Sequence, residues 1–266
     1  MTKRDTPYIA ALPMYDWPER RAEVDAQWAG IRDSLRATGI DAPDALTRNF
    51  GDLHELWRSP GLLFAQTCWG PMEQGLADHV TVIGQPSYDG TAGGQGEFYS
   101  SALVMRRGVM GLGFTSPLMG EVAPHRGAGG GDAAASHGAH ATPALRADFL
   151  PLDLLRNARF AYNGPDSMSG LIGLSRDIAA AGESLDIFSE RVQTGGHRLS
   201  IQAVAQGIAD VAAIDCMSWH LAQQYEPAAR DLCVVGWTSP RKGLPFITAK
   251  STPPDVVAAL RSIIFV

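Results

Sequence analysis

The chain alternates between short runs of apolar residues and longer stretches in which apolar residues recur at helical spacing. Runs of apolar and β-branched residues predict strands at residues 8–12, 62–66, 80–83, 99–106, 159–162, 210–214 and 232–237. In the stretch 18–37, the residues Val24, Trp28, Ile31 and Leu35 fall on one helical face, which predicts a helix. Further helices are predicted at residues 169–181, 197–209, 217–225 and 254–264.

This alternation of strands and helices predicts an α/β fold with mostly parallel sheets. Ligands of such sheets bind at the carboxyl ends of the strands. Polar residues from distant parts of the sequence occupy these strand ends, and we expect them to converge on one cleft. They are Tyr15, Gln66, Thr67, Ser167, Ser169, His197 and Asp215.

The most informative turn is the sequence NGPDSMSG, which precedes the predicted helix 169–181. The first N–H groups of a helix have no partner within the helix, and the helix dipole is positive there, so an oxyanion can bind. Ser167, Met168 and Ser169 are therefore interpreted as an oxyanion cradle with two hydroxyl donors. The alternative is that Asp166 or Ser167 only caps the helix.

A second turn, TGGHR, begins the helix at 197–209, and the apolar run ADVAAID ends at Asp215. The imidazole of His197 could contact a ligand oxygen or simply start a surface helix. Asp215 could accept a hydrogen bond from a ligand or cap the next helix. Trp219 could form a wall of the pocket or lie in the core. Tyr15, Gln66 and Thr67 are candidates for the opposite side of the cleft, and Tyr88, which precedes the chain crossing between the lobes, could belong to the hinge or to the pocket.

Charge and composition exclude several classes of function. The formal net charge of −6, without clustered Lys and Arg, argues against nucleic-acid binding. No run of 18 apolar residues is present, so no insertion into a membrane is predicted. Cys68, Cys216 and Cys233 form no disulfide framework.

A Gly/Ala/His-rich segment at about 108–142 predicts a flexible surface loop. It contains three histidines, His125, His137 and His140. Because no cysteine or carboxylate stands near them at ligand spacing, neither a metal nor a cofactor is predicted.

Three motifs, FAYNGPDSMSG, GGHRLSIQAVAQGIADVAAID and TSPRKGLPFIT, occur in this order after PMYDWPE, LLFAQTCWGP and GEFYSSALVMRR. Together they resemble the phosphate/phosphite/phosphonate-type substrate-binding proteins of ABC transporters. The resemblance implies a two-lobed periplasmic-binding-protein fold, type II-like, with the ligand cleft between the lobes. It suggests residues 1–85 plus 238–266 as lobe one and 86–237 as lobe two, with hinge segments near 84–96 and 236–243.

The implied function is that of a non-catalytic binding protein, which closes on a small oxyanion and presents it to the membrane permease subunits of a transporter. The sequence contains no GxSxG or Walker motif, which favours binding over catalysis. The alternative is a cytoplasmic enzyme or ligand sensor on the same fold, with His197, Asp215 and Cys216 as reactive groups. The family implies a periplasmic location, but residues 1–19 do not read as a secretory signal peptide, which keeps a cytoplasmic location open.

Overall fold

The computed structural model describes residues 7–108 and 150–264. Its strands are β1 Ile9–Ala11, β2 Leu62–Gln66, β3 Val80–Gly84, β4 Gly94–Gln95, β5 Phe98–Tyr99, β6 Ser101–Arg106, β7 Arg159–Tyr162, β8 Glu190–Gln193, β9 Val211–Asp215, β10 Leu232–Trp237, β11 Arg241–Lys242 and β12 Phe246–Ala249. Its α-helices are α1 Arg21–Ala37, α2 Leu53–Arg58, α3 Trp69–Glu73, α4 Leu152–Leu155, α5 Gly173–Ala180, α6 His197–Ala205, α7 Cys216–Tyr225 and α8 Pro254–Ile264. The loop predicted at 108–142, including His125, His137 and His140, lies outside the described residues except for Gly108.

The first lobe is built on a sheet with the strand order β1-β2-β12-β3. The apolar face of α1 packs on this sheet together with α8, and Trp28 stacks on Phe64 with ring centroids 6.2 Å apart. Trp57 of α2 and Met72 of α3 belong to a second apolar cluster of this lobe. The spacing of apolar residues in 18–37 thus correctly predicts which face of α1 is buried.

The second lobe is built on a sheet with the strand order β10-β6-β9-β7-β8. One apolar cluster of this sheet includes Ile201 of α6 and Trp219 of α7. Another includes Leu174 and Ile178 of α5 with Phe160 of β7. Helices therefore cover both faces, and the strand ends are left to form the polar edge of the lobe.

The prediction of mostly parallel sheets is wrong. β1 is parallel to β2, and β7 is parallel to both β8 and β9. By contrast, β12 runs antiparallel to β2 and β3, and β6 runs antiparallel to β9 and β10. β6 and β12 each follow a short connection where the chain passes between the lobes. In the described ranges, no helix directly precedes them to carry the chain back to the end of the sheet from which a parallel strand would have to start.

Four strands were missed by the sequence patterns, namely the two-residue strands β4 and β11 and the longer strands β8 and β12. β8 has the sequence ERVQ and is largely exposed at the edge of its sheet, so it shows no apolar run. β12 is fully buried, but its FITA sequence follows the Pro- and Gly-rich stretch SPRKGLP, whose turn signals obscured it.

A small third sheet, β11-β5-β4, lies where the chain passes between the lobes. Arg241 pairs with Tyr99 and Lys242 pairs with Phe98, so the outgoing and returning segments are bonded to each other. The lobe limits at residues 85 and 237, and the hinge role of these segments, stay predictions. Within the described residues, no helix is both long enough and apolar enough to cross a membrane.

Candidate ligand-binding site

Three of the predicted residues contact one another at the polar edge of the second lobe. His197, the first residue of α6, places its Nε2 at 2.8 Å from the Ser169 Oγ and 3.1 Å from the Asp215 Oδ2. Asp215 ends β9 and is 2% exposed. Its Oδ1 also accepts a hydrogen bond from the Ser218 N–H at 2.9 Å, so Asp215 caps α7 as well as facing His197.

The turn before His197 depends on glycine. Gly195 has a φ of +92°, a left-handed conformation that glycine adopts without steric cost. Gly196 then takes an extended conformation as the N-cap residue of α6. This pair of glycines turns the chain from β8 so that His197 faces the ends of the neighbouring strands.

Tyr15 reaches the same group from the first lobe. Its hydroxyl donates to the Asp215 Oδ1 at 3.0 Å and lies 3.4 Å from the Tyr88 hydroxyl. The Tyr88 hydroxyl in turn accepts a hydrogen bond from the Leu244 N–H at 2.9 Å. Tyr15 thus approaches Asp215 from the first lobe, and Tyr88, in the predicted hinge segment 84–96, lies next to Tyr15.

The predicted cradle lies at the start of one continuous helical stretch, in which the π-type turn Met168–Ile172 continues into α5. The Ser167 Oγ accepts a hydrogen bond from the Gly170 N–H at 3.0 Å, so Ser167 is the N-cap that the alternative interpretation expected. The Met168 N–H points to the Cys68 Sγ of the first lobe, 3.4 Å away. The cradle is therefore in contact with the opposite lobe in this structure.

The remaining predicted residues lie around this group. The Gln66 Nε2 donates to the Leu244 carbonyl oxygen at 3.4 Å, just after β11, where the chain returns to the first lobe. Thr67 is fully buried, and its Oγ1 has no hydrogen-bond partner among the described residues. Trp219 is buried in the apolar cluster that contains Ile201, so the structure does not bring it into the hydrogen-bonded group.

Sequence reasoning missed two residues at this site. Tyr99 is 2% exposed and stacks on Tyr88 with centroids 5.4 Å apart, and its burial, followed by the nearby Cys68, raises its pKa well above the ordinary value. Ser101 donates from its Oγ to the Ser169 carbonyl oxygen at 3.0 Å. Both stand in the motif GEFYSSALVMRR, but an apolar run beginning at Tyr99 predicts a strand without indicating a site.

Burial sets the protonation states of the site. It lowers the pKa of His197 below its ordinary value, although the Asp215 carboxylate opposes this shift. Burial, followed by the charge of Asp215, raises the pKa of Tyr15 and of the Cys216 thiol. Burial also raises the pKa of Cys68. Near neutral pH the hydroxyl, thiol and imidazole groups of the site are consequently neutral.

This geometry does not match a Ser-His-Asp relay. In such a relay the carboxylate and the hydroxyl bond opposite nitrogens of the imidazole. Here the Ser169 Oγ and the Asp215 Oδ2 both approach the Nε2 of His197, while its Nδ1 has no hydrogen-bond partner among the described residues. The arrangement therefore does not activate Ser169 through a relay of this kind. No group of three or more His, Cys, Asp or Glu side chains within the described residues could hold a metal ion.

The depressed pKa of His197 predicts a loss of stability in mild acid. The unfolded chain takes up a proton on this residue near its ordinary pKa of 6.5, before the folded protein does. The contribution of the neutral His197 to the free energy of unfolding is complete above about pH 6.5, and it is lost as the pH falls toward the pKa of His197 in the folded protein. We expect urea denaturation between pH 7.5 and 5.5 to show a smaller decrease in unfolding free energy for His197→Gln than for the wild type.

The control is His220→Gln, because His220 is exposed on α7. This variant should keep the pH dependence of the wild type. An equal loss of stability in the wild type and in His197→Gln would contradict the assignment of a buried, neutral imidazole.

Comparisons with known proteins agree on fold and family. A family model described as "ABC transporter, phosphonate, periplasmic substrate-binding protein" matches residues 78–265. PhnD1 from Prochlorococcus marinus, solved in complex with methylphosphonate, has a TM-score of 0.63 at 16% identity, with 97% of this chain and 83% of that chain covered. A binding protein component of an ABC phosphonate transporter from Pseudomonas aeruginosa has a TM-score of 0.61 at 15% identity, with 97% and 74% covered.

A histidine kinase sensor domain with similarity to periplasmic binding proteins has a TM-score of 0.54 at 12% identity, with 98% of this chain and 90% of that chain covered. A comparison with curated protein sequences found no match. At these identities the solved structures establish the fold, which is the two-lobed, type II-like periplasmic-binding-protein fold.

Proposed function

Because this chain belongs to the family of periplasmic, phosphonate-type substrate-binding proteins of ABC transporters, we propose that it binds a small phosphorus oxyanion in the cleft between its lobes. Phosphate, phosphite and phosphonates are the candidate ligands. The observation that carries the proposal is the contact of Ser169, His197 and Asp215 at three helix starts, with Tyr15 of the first lobe bonded to the same carboxylate.

The helix start at Ser167 to Ser169 would bind the negatively charged oxygens of the ligand. Its N–H groups and hydroxyls are donors, and charge-assisted hydrogen bonds of this kind are about twice as strong as neutral ones. His197 would donate to the same group of oxygens. Tyr15 would enclose the ligand from the first lobe and Tyr88 from the predicted hinge segment, with Gln66, Thr67 and Trp219 as further candidates for the walls.

Asp215 has the opposite role, since a carboxylate only accepts hydrogen bonds. It would accept from a protonated ligand oxygen or from an amino group of an aminophosphonate. A fully deprotonated oxyanion without a donor would instead place its charge against the charge of Asp215. The site thereby selects ligands that still carry a proton on phosphorus-bound oxygen or that carry an amino group.

Closure of the lobes would bury the ligand, and the closed form would be recognised by the permease subunits of a transporter in the periplasm. Closure of this kind is a population shift driven by contacts that the ligand makes in the closed state. The family match supports this assignment over the enzyme alternative. The raised pKa of the buried Cys216 thiol also disfavours a thiolate nucleophile there.

A calorimetric screen of phosphate, phosphite, methylphosphonate and aminoethylphosphonate tests the proposal, with methanesulfonate as the matched control. We expect one-to-one binding of at least one phosphorus oxyanion. Methanesulfonate has a similar shape but no protonated oxygen at neutral pH, and its loss of the bond to Asp215 should cost about 1–3 kcal/mol.

Phosphorus NMR after incubation provides the second measurement, and the ligand should be recovered unchanged. Conversion of the ligand, abolished by His197→Ala or Cys216→Ser, would establish an enzyme instead. Binding of methanesulfonate as tightly as methylphosphonate would contradict the role given to Asp215.

A further inference from the structure

A short segment of the first lobe extends across to the second lobe. Residues 15–19, with the sequence YDWPE, follow β1 and precede α1. Helix α1 is anchored in the first lobe, where Val24 and Trp28 lie in the core. Three side chains of the segment, Tyr15, Trp17 and Glu19, contact the second lobe.

Arg198 of the second lobe receives most of these contacts. Its Nη1 and Nη2 donate to the two carboxylate oxygens of Glu19, each at 3.0 Å. The guanidinium also lies over the Trp17 ring, 4.7 Å from its centroid. A bidentate ion pair and a cation–π contact therefore join the lobes through one side chain.

The guanidinium is held in place from within its own lobe. Its Nε donates to the Glu226 Oε2 at 2.7 Å, and the Gln202 Nε2 donates to the same oxygen at 2.9 Å. The Glu226 side chain is only 7% exposed. Because Arg198 is already oriented, its bond to Glu19 requires less loss of side-chain freedom than an ordinary surface pair.

Trp17 adds an apolar contact to this ion pair. It packs against the apolar cluster of the second lobe that contains Ile201 and Trp219, although its own chain segment leads into the first lobe. The segment 15–19 consequently makes an apolar, a charged and, through Tyr15, a hydrogen-bonded contact with the second lobe.

We propose that the segment 15–19 is a clasp that holds the two lobes closed through Arg198, and that its strength sets the rate at which a bound ligand escapes. The second part rests on the proposed function, because it takes the cleft as the ligand site. Arg198 directly follows His197 at the start of α6. A ligand bound to His197 and a carboxylate bound to Arg198 therefore stabilise the same closed position of one helix start.

The test uses Glu19→Gln, which removes the charge across the cleft and keeps the shape of the side chain. Ion pairs that are exposed to this degree contribute only modestly to stability. We therefore expect the dissociation rate of the ligand found in the screen to rise about 3- to 10-fold in Glu19→Gln, with little change in the association rate. Stopped-flow competition measures both rates. Without ligand, Glu19→Gln should have a larger radius of gyration in small-angle scattering than the wild type without ligand.

Glu183→Gln is the matched control, because Glu183 pairs with Arg156 inside the second lobe at 2.8 Å and is 33% exposed, against 35% for Glu19. Glu183→Gln should change neither the dissociation rate of the ligand nor the radius of gyration of the ligand-free protein. Arg198→Lys keeps the charge but loses the bidentate geometry, so it should give an intermediate dissociation rate.

A change in either measurement for Glu19→Gln, relative to Glu183→Gln, supports the clasp. Wild-type values in both would overturn it. If no oxyanion binds to the wild type, the proposed function fails, while scattering of the ligand-free variants still decides whether the clasp exists.

Discussion

Replacing Gly70 with alanine is expected to weaken ligand binding by about 10- to 100-fold, because overpacking of a tight contact costs about 1–3 kcal/mol and 1.4 kcal/mol is a factor of ten. Gly70 lies in α3 of the first lobe, against the backbone of Asp166 in the second lobe. A Cβ atom at this position would overlap the Asp166 carbonyl oxygen and lie 2.7 Å from its carbonyl carbon. Backbone atoms cannot turn aside as a flexible side chain can, so the lobes would be kept apart.

The stability of the ligand-free protein should not decrease in this variant. Gly70 does not have a positive φ, and alanine is favoured over glycine inside a helix by about 1 kcal/mol. Gly30→Ala in α1 is the control, since a Cβ there meets nothing within 4 Å. Titration calorimetry and thermal unfolding measure the two effects. Wild-type affinity of Gly70→Ala would mean that binding does not need this close approach of the lobes.

Replacing Ser167 and Ser169 together with alanine should weaken binding by about 2–5 kcal/mol, allowing about 1.5–3 kcal/mol for each charge-assisted hydrogen bond and for non-additivity. Both hydroxyls lie at the helix start that would receive the anion, and Ser169 also contacts His197 at 2.8 Å. The ligand would retain the backbone N–H groups, so binding should weaken rather than vanish. Titration calorimetry with the ligand found in the screen measures the change.

The double variant should also lose about 1 kcal/mol of stability, because Ser167 caps its helix. Ser184→Ala separates the two effects. Ser184 caps a short 3₁₀ helix of the same lobe by accepting a bond from the Asp186 N–H, at a position where no ligand is proposed. It should lower stability without changing affinity. If the double variant binds as tightly as Ser184→Ala, the anion does not bind at this helix start.

The sequence predicts the local part of this architecture well. Apolar runs identify β2, β6, β7, β9 and β10, and helical spacing identifies α1, α6, α7 and α8. The polar strand ends that the sequence identifies contact one another at Ser169, His197, Asp215 and Tyr15, while their role in ligand binding stays a prediction. These predictions succeed because burial along one element leaves a repeating pattern in the chain.

The contacts between the lobes could not be predicted in the same way. Tyr15 and Asp215 are 200 positions apart, and Arg198 and Glu19 are 179 positions apart. Each residue type is ordinary for its local position: an arginine in a first helical turn, or a glutamate before a helix. The information that joins them lies in the relative placement of two folded lobes, which hydrophobic periodicity does not report. Gly70 illustrates this, since its need for glycine comes entirely from Asp166.

Because β12 lies between β2 and β3, the two sheets cannot form in the same order as their strands are synthesised. β3 pairs with β12, and β12 also pairs with β2, so residues 246–249 separate two strands that were synthesised much earlier. A chain emerging from the ribosome can complete the second sheet once β10 has been translated, because all its strands lie within residues 101–237. The first sheet must wait for residues 246–249, and until then β2 and β3 carry open edges that can pair wrongly.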